Sequence, residues 1–172
     1  MEEKIKQLSI KEKVGQMFIV GINKTNPISL IKEYILRDKV GGILLYKKNY
    51  KNQEELVKLV NSMKEINAKN PIPIFIATDQ EGGRVNRMPK EFLNLPSAYQ
   101  LAQYQEENLV AQAGEIAGNM MGKLGFNLNL APVLDIKRFE DRHAIGDRAF
   151  SRDKEEVFEN GLTYFKQLEK FQ

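Results

Sequence analysis

Four times along this chain a short apolar run is followed by a segment of helical periodicity, and this alternation restricts the fold more than any other feature. The first run, Gln16 to Ile22, is closed by polar residues that end at Pro27. Pro27 to Lys39 then reads as a helix. Proline suits a first helical turn, and Ile28, Ile31, Ile35 and Leu36 fall on one side. Val40 to Tyr46 is the second strand expected, and a second helix starts at Asn52 with Leu56, Leu59, Val60 and Met63 recurring at helical spacing. Pro73 to Asp79 reads as the third strand. An irregular stretch from Gln80 to about Gln105 follows, punctuated by Gly82-Gly83, Pro89 and Pro96. A third helix is expected from about Glu106 to Leu124, ended by Gly125. Phe126 to Asp135 is the fourth strand. After a loop from Ile136 to Arg152, Asp153 caps a fourth helix with Val157, Leu162, Phe165 and Leu168 on its apolar side.

Strands separated by helices imply an α/β fold with parallel pairing and right-handed crossovers. Three of the runs are almost continuously apolar, as strands covered on both faces are. The fourth differs: Phe126, Leu128 and Leu130 alternate with Asn127 and Asn129. In a closed barrel the apolar set faces the helices and the asparagines point inward; an antiparallel strand with one wet face would show the same pattern. Four βα units in 172 residues fit a small open doubly wound sheet or the first half of a TIM (β/α)8 barrel, which typically needs ~250 residues. Gly21-Ile-Asn-Lys24, after the first strand, has neither the dinucleotide fingerprint nor the P-loop spacing.

Composition narrows the chemistry. Hydrophobic residues at 42% and charged residues at 28% are ordinary for one globular domain. The net charge of +3 comes from 26 basic and 23 acidic residues that are interleaved, whereas a nucleic-acid binder gathers its basic residues in a stripe. With no cysteine and the single histidine His143, thiolate and histidine-based metal sites are not expected, and no cofactor is expected either. No stretch reaches the ~18 apolar residues of a membrane span. The polar, acidic N-terminus does not read as a signal peptide, so the expected location is cytoplasmic.

The residues with most chemistry follow the third and fourth strands, where β/α folds place their sites. Asp79-Gln-Glu-Gly-Gly-Arg-Val-Asn-Arg87 holds two carboxylates, two glycines and two arginines in nine residues. A carboxylate can accept two sugar hydroxyls, an arginine offers a planar fork of donors, and glycines let backbone turn close to a ligand. An internally salt-bridged loop would use the same residues. Beyond the fourth strand lie Asp135 and Ile145-Gly-Asp-Arg-Ala-Phe150. Asp135 could touch substrate, but a structural role on neighbouring backbone amides fits it better. Arg148 could reach the mouth of the fold or pair with Asp147, and His143 reads as an ordinary loop histidine.

These segments, together with Leu95-Pro-Ser97 and Gly125-Phe-Asn-Leu-Asn-Leu-Ala-Pro-Val-Leu-Asp135, resemble glycoside hydrolase family 3 in order and spacing. The likeness begins near Ser9-Ile-Lys-Glu-Lys-Val-Gly-Gln-Met17 and runs to the C-terminus. The Asp-Gln-Glu-Gly-Gly-Arg version is similar to the β-N-acetylhexosaminidase branch. The resemblance implies a partial N-terminal barrel domain over residues 1–172 and a retaining hydrolase of terminal β-linked N-acetylglucosamine, as in peptidoglycan recycling. It also implies that Asp79, Arg87 and Arg148 hold the sugar at the non-reducing end, with Glu81, Asp135 and Asp147 as supporting residues.

The chain departs from the family pattern at its end. The family continues with a fifth strand and a Lys-His-Phe-Pro-Gly-His-Gly motif that carries the histidine general acid/base, and later with an aspartate nucleophile. Neither is among the 172 residues, and His143 lies in the wrong loop to substitute. The chain is therefore expected to stop before a barrel could close and to be inactive alone. Three roles stay open: half of a hydrolase, a non-catalytic sugar binder, or an assembly protein that self-associates or accepts a second half-barrel. No nucleic-acid or membrane partner is expected.

Overall fold

A computed structural model describes residues 2–23, 28–104, 108–138 and 144–171. Its elements run α1 (Glu2–Lys6), α2 (Ile10–Gln16), β1 (Ile19–Gly21), α3 (Ile28–Leu36), β2 (Gly42–Leu44), α4 (Gln53–Asn67), β3 (Phe75–Thr78), α5 (Ala98–Ala102), α6 (Leu109–Leu124), β4 (Leu128–Asn129) and α7 (Lys154–Leu168). The strands form one sheet in the order β1-β2-β3-β4. Ile19, Val20 and Gly21 pair in parallel with Gly42, Ile43 and Leu44, and these pair in turn with Phe75, Ile76 and Ala77.

The chain divides into two units. Met1–Thr78 with Leu124–Leu128 make the first, Asp79–Lys123 with Asn129–Gln172 the second. In the first, α3 and α4 pack on each other. Ile31 and Ile35 of α3, Leu56, Leu59, Val60 and Met63 of α4, and Ile43 and Ile76 of the sheet are buried. Asn52 caps α4 by accepting from the Glu55 amide at 2.9 Å, where an uncapped helix would leave that donor open.

Three sequence expectations shift here. Gln16 closes α2 instead of opening a strand, so β1 begins three residues later. α1 and α2 were not anticipated, although Ser9 and Glu12 form the reciprocal serine–glutamate cap that announces a helix: the Ser9 amide donates to the Glu12 carboxylate at 2.9 Å and the Glu12 amide to Ser9 Oγ at 3.3 Å. The fourth strand is far shorter than Phe126 to Asp135. Asn127 does not project as a free inward group; its side chain accepts from the Ile76 amide at 2.7 Å and donates to the Ile74 carbonyl at 2.9 Å. A side-chain amide thus takes bonds that a longer strand would make with its backbone. The expected helix starts at Pro27 and Glu106 lie outside the described residues.

In the second unit α5, α6 and α7 share an apolar core of Leu101, Val110, Ala113, Ala117, Phe150, Val157, Tyr164 and Leu168. Gly114 and Gly118, one helical turn apart, let α6 approach α7 closely: a Cβ on Gly114 would stand 2.5 Å from the Tyr164 carbonyl oxygen. α5 interrupts a stretch expected to be irregular. Ser97 and Gln100 cap it in the same reciprocal way as Ser9 and Glu12 cap α2. As expected, Gly125 ends α6 at φ +87 and Asp153 caps α7, accepting from the Glu155 and Glu156 amides. The buried side of α7 differs from expectation: Val157, Gly161, Tyr164 and Leu168 face the core, while Leu162 and Phe165 are exposed beside Phe158.

Candidate functional site

Every described residue of the candidate site belongs to the second unit. It begins with a tight turn. The Glu81 and Gly82 amides both donate to the Val85 carbonyl, at 3.1 and 3.2 Å, and the Val85 amide returns a bond to Gly82 at 3.0 Å. Gly82 and Gly83 have φ of +92 and +51, a region that costs other residues about 1–2 kcal/mol. Space forbids side chains there too. A Cβ on Gly82 would lie 2.5 Å from the Pro96 carbonyl oxygen, and one on Gly83 would lie 2.8 Å from Ser97 Cβ. The Leu95-Pro-Ser97 segment is thus the wall against which the glycine turn folds.

Gln80 locks the base of this turn. Its side chain is 1% exposed and accepts from the Arg87 amide at 2.7 Å. Its own amide donates to Asn129 Oδ1 at 3.0 Å, and its carbonyl accepts from Asn129 Nδ2 at 3.1 Å. Asn129 is therefore a backbone clamp on Gln80.

On this frame two guanidinium–carboxylate pairs sit close together. Arg87 donates through Nε and Nη2 to the two oxygens of Asp79 at 2.8 and 2.5 Å. Arg148 donates through the same two nitrogens to Glu81 at 2.8 and 2.6 Å. The Glu81 hydrogen bond is the main cause holding the Arg148 guanidinium above its ordinary pKa; partial burial opposes it, and the charges of Glu81, Asp79 and Asp135 assist. Arg148 is placed by its neighbours in sequence, since Ala149 and Phe150 are buried and anchor the loop.

Two sequence readings need correction. Arg148 pairs with Glu81, not with Asp147; Asp147 instead accepts from Arg84 at 2.9 Å. Asp135 is exposed and accepts no backbone hydrogen bond among the described residues; its charge is the smallest of those that favour the charged Arg148. His143 lies outside the described residues. Arg84 and the Gln80–Asn129 clamp were not singled out in the sequence, because partner choice across 50 or 60 residues leaves no local signal. Among the described residues no group of three or more histidine, cysteine, aspartate or glutamate side chains could hold a metal ion.

The arrangement suits recognition of a neutral polyhydroxylated ligand. Each Asp79 oxygen uses one lone pair on Arg87 and keeps acceptor capacity for hydroxyls. Arg148 engages its Nη1 only in a long 3.5 Å contact to the Ala144 carbonyl among the described residues, which leaves donor capacity.

The Glycosyl hydrolase family 3 N terminal domain profile matches residues 2–172, so the chain belongs to that family. It is 36% identical over 136 residues to a Beta-hexosaminidase of Photobacterium profundum, covering 78% of this chain and 39% of that protein. It is 33% identical over 147 residues to a Beta-hexosaminidase of Xanthomonas oryzae pv. oryzae, covering 82% of this chain and 42% of that protein. Among solved structures, a family 3 beta-N-acetylglucosaminidase from Paenibacillus sp. superposes with TM-score 0.86 at 30% identity, over 95% of this chain and 31% of that one. NagZ from Neisseria gonorrhoeae, in complex with N-trifluoroacetyl-D-glucosamine, superposes with TM-score 0.76 at 30% identity, over 87% of this chain and 45% of that one. The chain spans about two fifths of the length of these curated relatives. Its four-stranded sheet, parallel through β1, β2 and β3, and its intervening helices match part of the family's TIM barrel.

Proposed function

We propose that this chain supplies the sugar-holding part of a β-N-acetylhexosaminidase site for terminal β-linked N-acetylglucosamine, within a partial barrel domain over residues 1–172. The observation that carries the reading is the adjacent pair of bidentate contacts, Asp79 with Arg87 and Glu81 with Arg148, on a glycine turn backed by Leu95-Pro-Ser97. Each arginine fixes a carboxylate, and a fixed acceptor loses little freedom when it meets a hydroxyl. Asp79 would receive sugar hydroxyls and Arg148 would donate to one, orienting the anomeric carbon for attack. The retaining chemistry needs two catalytic groups on either side of the glycosidic bond. By the family resemblance these are a histidine and an aspartate, neither of them among the sugar-holding residues named above. The natural substrates on this reading are peptidoglycan fragments recycled in the cytoplasm.

A second feature speaks to the partner. In the second unit, Pro132, Leu134, Val157, Phe158, Leu162 and Phe165 line an apolar cleft of about 340 Å³. Phe158 and Leu134 are well exposed. Such a face on a barrel helix suits a further βα unit, whether in the same polypeptide or in a second half-barrel; self-association of two copies is the competing occupant.

The test titrates N-acetylglucosamine into the chain by NMR and runs a chromogenic β-N-acetylglucosaminide beside it. Saturable binding that weakens more than tenfold in Asp79→Ala and Arg148→Ala, with no turnover, is the expected result. No saturable binding refutes the sugar-holding role. Turnover that falls with the same substitutions would show that a carboxylate within this chain serves as nucleophile.

A further inference from the structure

Arg84 belongs to none of the sugar-holding positions, yet its side chain makes three hydrogen bonds to the 144–148 loop. Its Nε donates to Asp147 Oδ1 at 2.9 Å, and its Nη2 donates to the carbonyls of Ala144 and Ile145 at 2.6 and 2.9 Å. One guanidinium thus grips three acceptors on the loop that carries Arg148. That loop answers in kind: Arg148 reaches back to Glu81, on the turn that carries Arg84. We propose that Arg84 is a positioning residue, a latch that holds the 144–148 loop so that Arg148 is aimed at the bound sugar; its effect on the sugar rests on the function proposed above.

The magnitudes decide which of its contacts matter. The Arg84 and Asp147 side chains are 50% and 46% exposed, so their ion pair is screened by water and salt and contributes little by itself. The two carbonyls are different. They belong to backbone at consecutive positions, and donating to both fixes the path of the loop. The Arg148 amide closes the same turn on the Ile145 carbonyl at 2.9 Å, and Arg148 Nη1 shares the Ala144 carbonyl at 3.5 Å. Both guanidiniums therefore converge on one carbonyl. Arginine is needed because its planar fork presents donors in several directions from one charge, which a lysine ammonium on a flexible stem does not reproduce. Arg84 itself is held by the glycine turn at Gly82 and Gly83, so the latch is rigid at its root.

The experiment uses the full chain with Arg84→Ala, Arg84→Lys and Asp147→Asn. One readout does not involve sugar: the Arg148 Nε proton, bonded to Glu81 in the wild type, gives a side-chain NMR signal protected from exchange with water. The second readout is N-acetylglucosamine affinity, and thermal unfolding checks that each variant folds. The latch predicts that Arg84→Ala and Arg84→Lys both lose most of the Arg148 protection and weaken sugar binding about tenfold, while the unfolding midpoint stays put. Asp147→Asn should stay within about twofold, since it removes only the screened contact. An unchanged Arg148 signal in Arg84→Ala overturns the latch, and so does full rescue by lysine. If the wild type binds no sugar while Arg84→Ala still frees Arg148, the latch stands and the sugar-holding role fails.

Discussion

Replacing Glu81 by glutamine tests the centre of the site with the least change of shape. The Glu81 side chain is 8% exposed and that of Arg148 27%, so this pair is shielded far better than Arg84–Asp147. Glutamine keeps one acceptor oxygen but turns an NH2 group toward a guanidinium N–H, so one charge-assisted bond is lost and two donors face each other. Losing a hydrogen bond to a charged group costs about 1.5–3 kcal/mol. Partial exposure lets water recover some of this on the Arg148 side, which places the expected loss near about 2 kcal/mol. For a chain of this size that lowers the melting temperature by about 4–8 °C. Urea unfolding at low and high salt is the assay. The loss should persist in 1 M salt, about where screening lengths fall to ~3 Å, because the pair is mostly out of water. It should also be flat across neutral pH. The arginine's raised pKa adds stability that is fully present below its unfolded value and is lost only as pH rises through the folded value. A loss below about 0.5 kcal/mol, or one that vanishes in high salt, would refute the claim that this pair is a shielded structural contact.

Three further outcomes are expected. Tyr164 is buried with no hydrogen-bond partner for its hydroxyl among the described residues, and burial, helped by the Glu81 charge, pushes its pKa up. That group adds stability below its unfolded pKa of about 10 and loses it as pH rises toward the folded value, so Tyr164→Phe should hold stability above pH ~10 better than wild type and gain about 1 kcal/mol at neutral pH, read by denaturant titration. Gly114→Ala should cost about 1–3 kcal/mol by forcing α6 from α7, against a gain of under about 1 kcal/mol if propensity alone ruled; unfolding in urea separates the two. Phe158→Ser with Phe165→Ser should leave the fold intact and suppress concentration-dependent association in sedimentation runs, since both side chains stand exposed beside the apolar cleft.

The α/β class, the alternation of four strands with helices and the buried stripe of α4 were legible because each depends on local periodicity. Leu56, Leu59, Val60 and Met63 had to share a face, and they do. The candidate site residues were legible as types: two acids, two glycines and two arginines in one loop, and a further arginine in another. Their partners were not. Glu81 could choose Arg87 or Arg148, and Asp147 could choose Arg148 or Arg84, with equal chemistry at the level of sequence. Only the folded path of the chain, closed by the Gly82 turn and clamped by Asn129 on Gln80, made one choice short-range and the other impossible. The same holds for α7, whose sequence carries two apolar stripes. Periodicity cannot rank them, and packing against the glycines of α6 selected Tyr164 and Leu168 for the interior while leaving Leu162 and Phe165 outside.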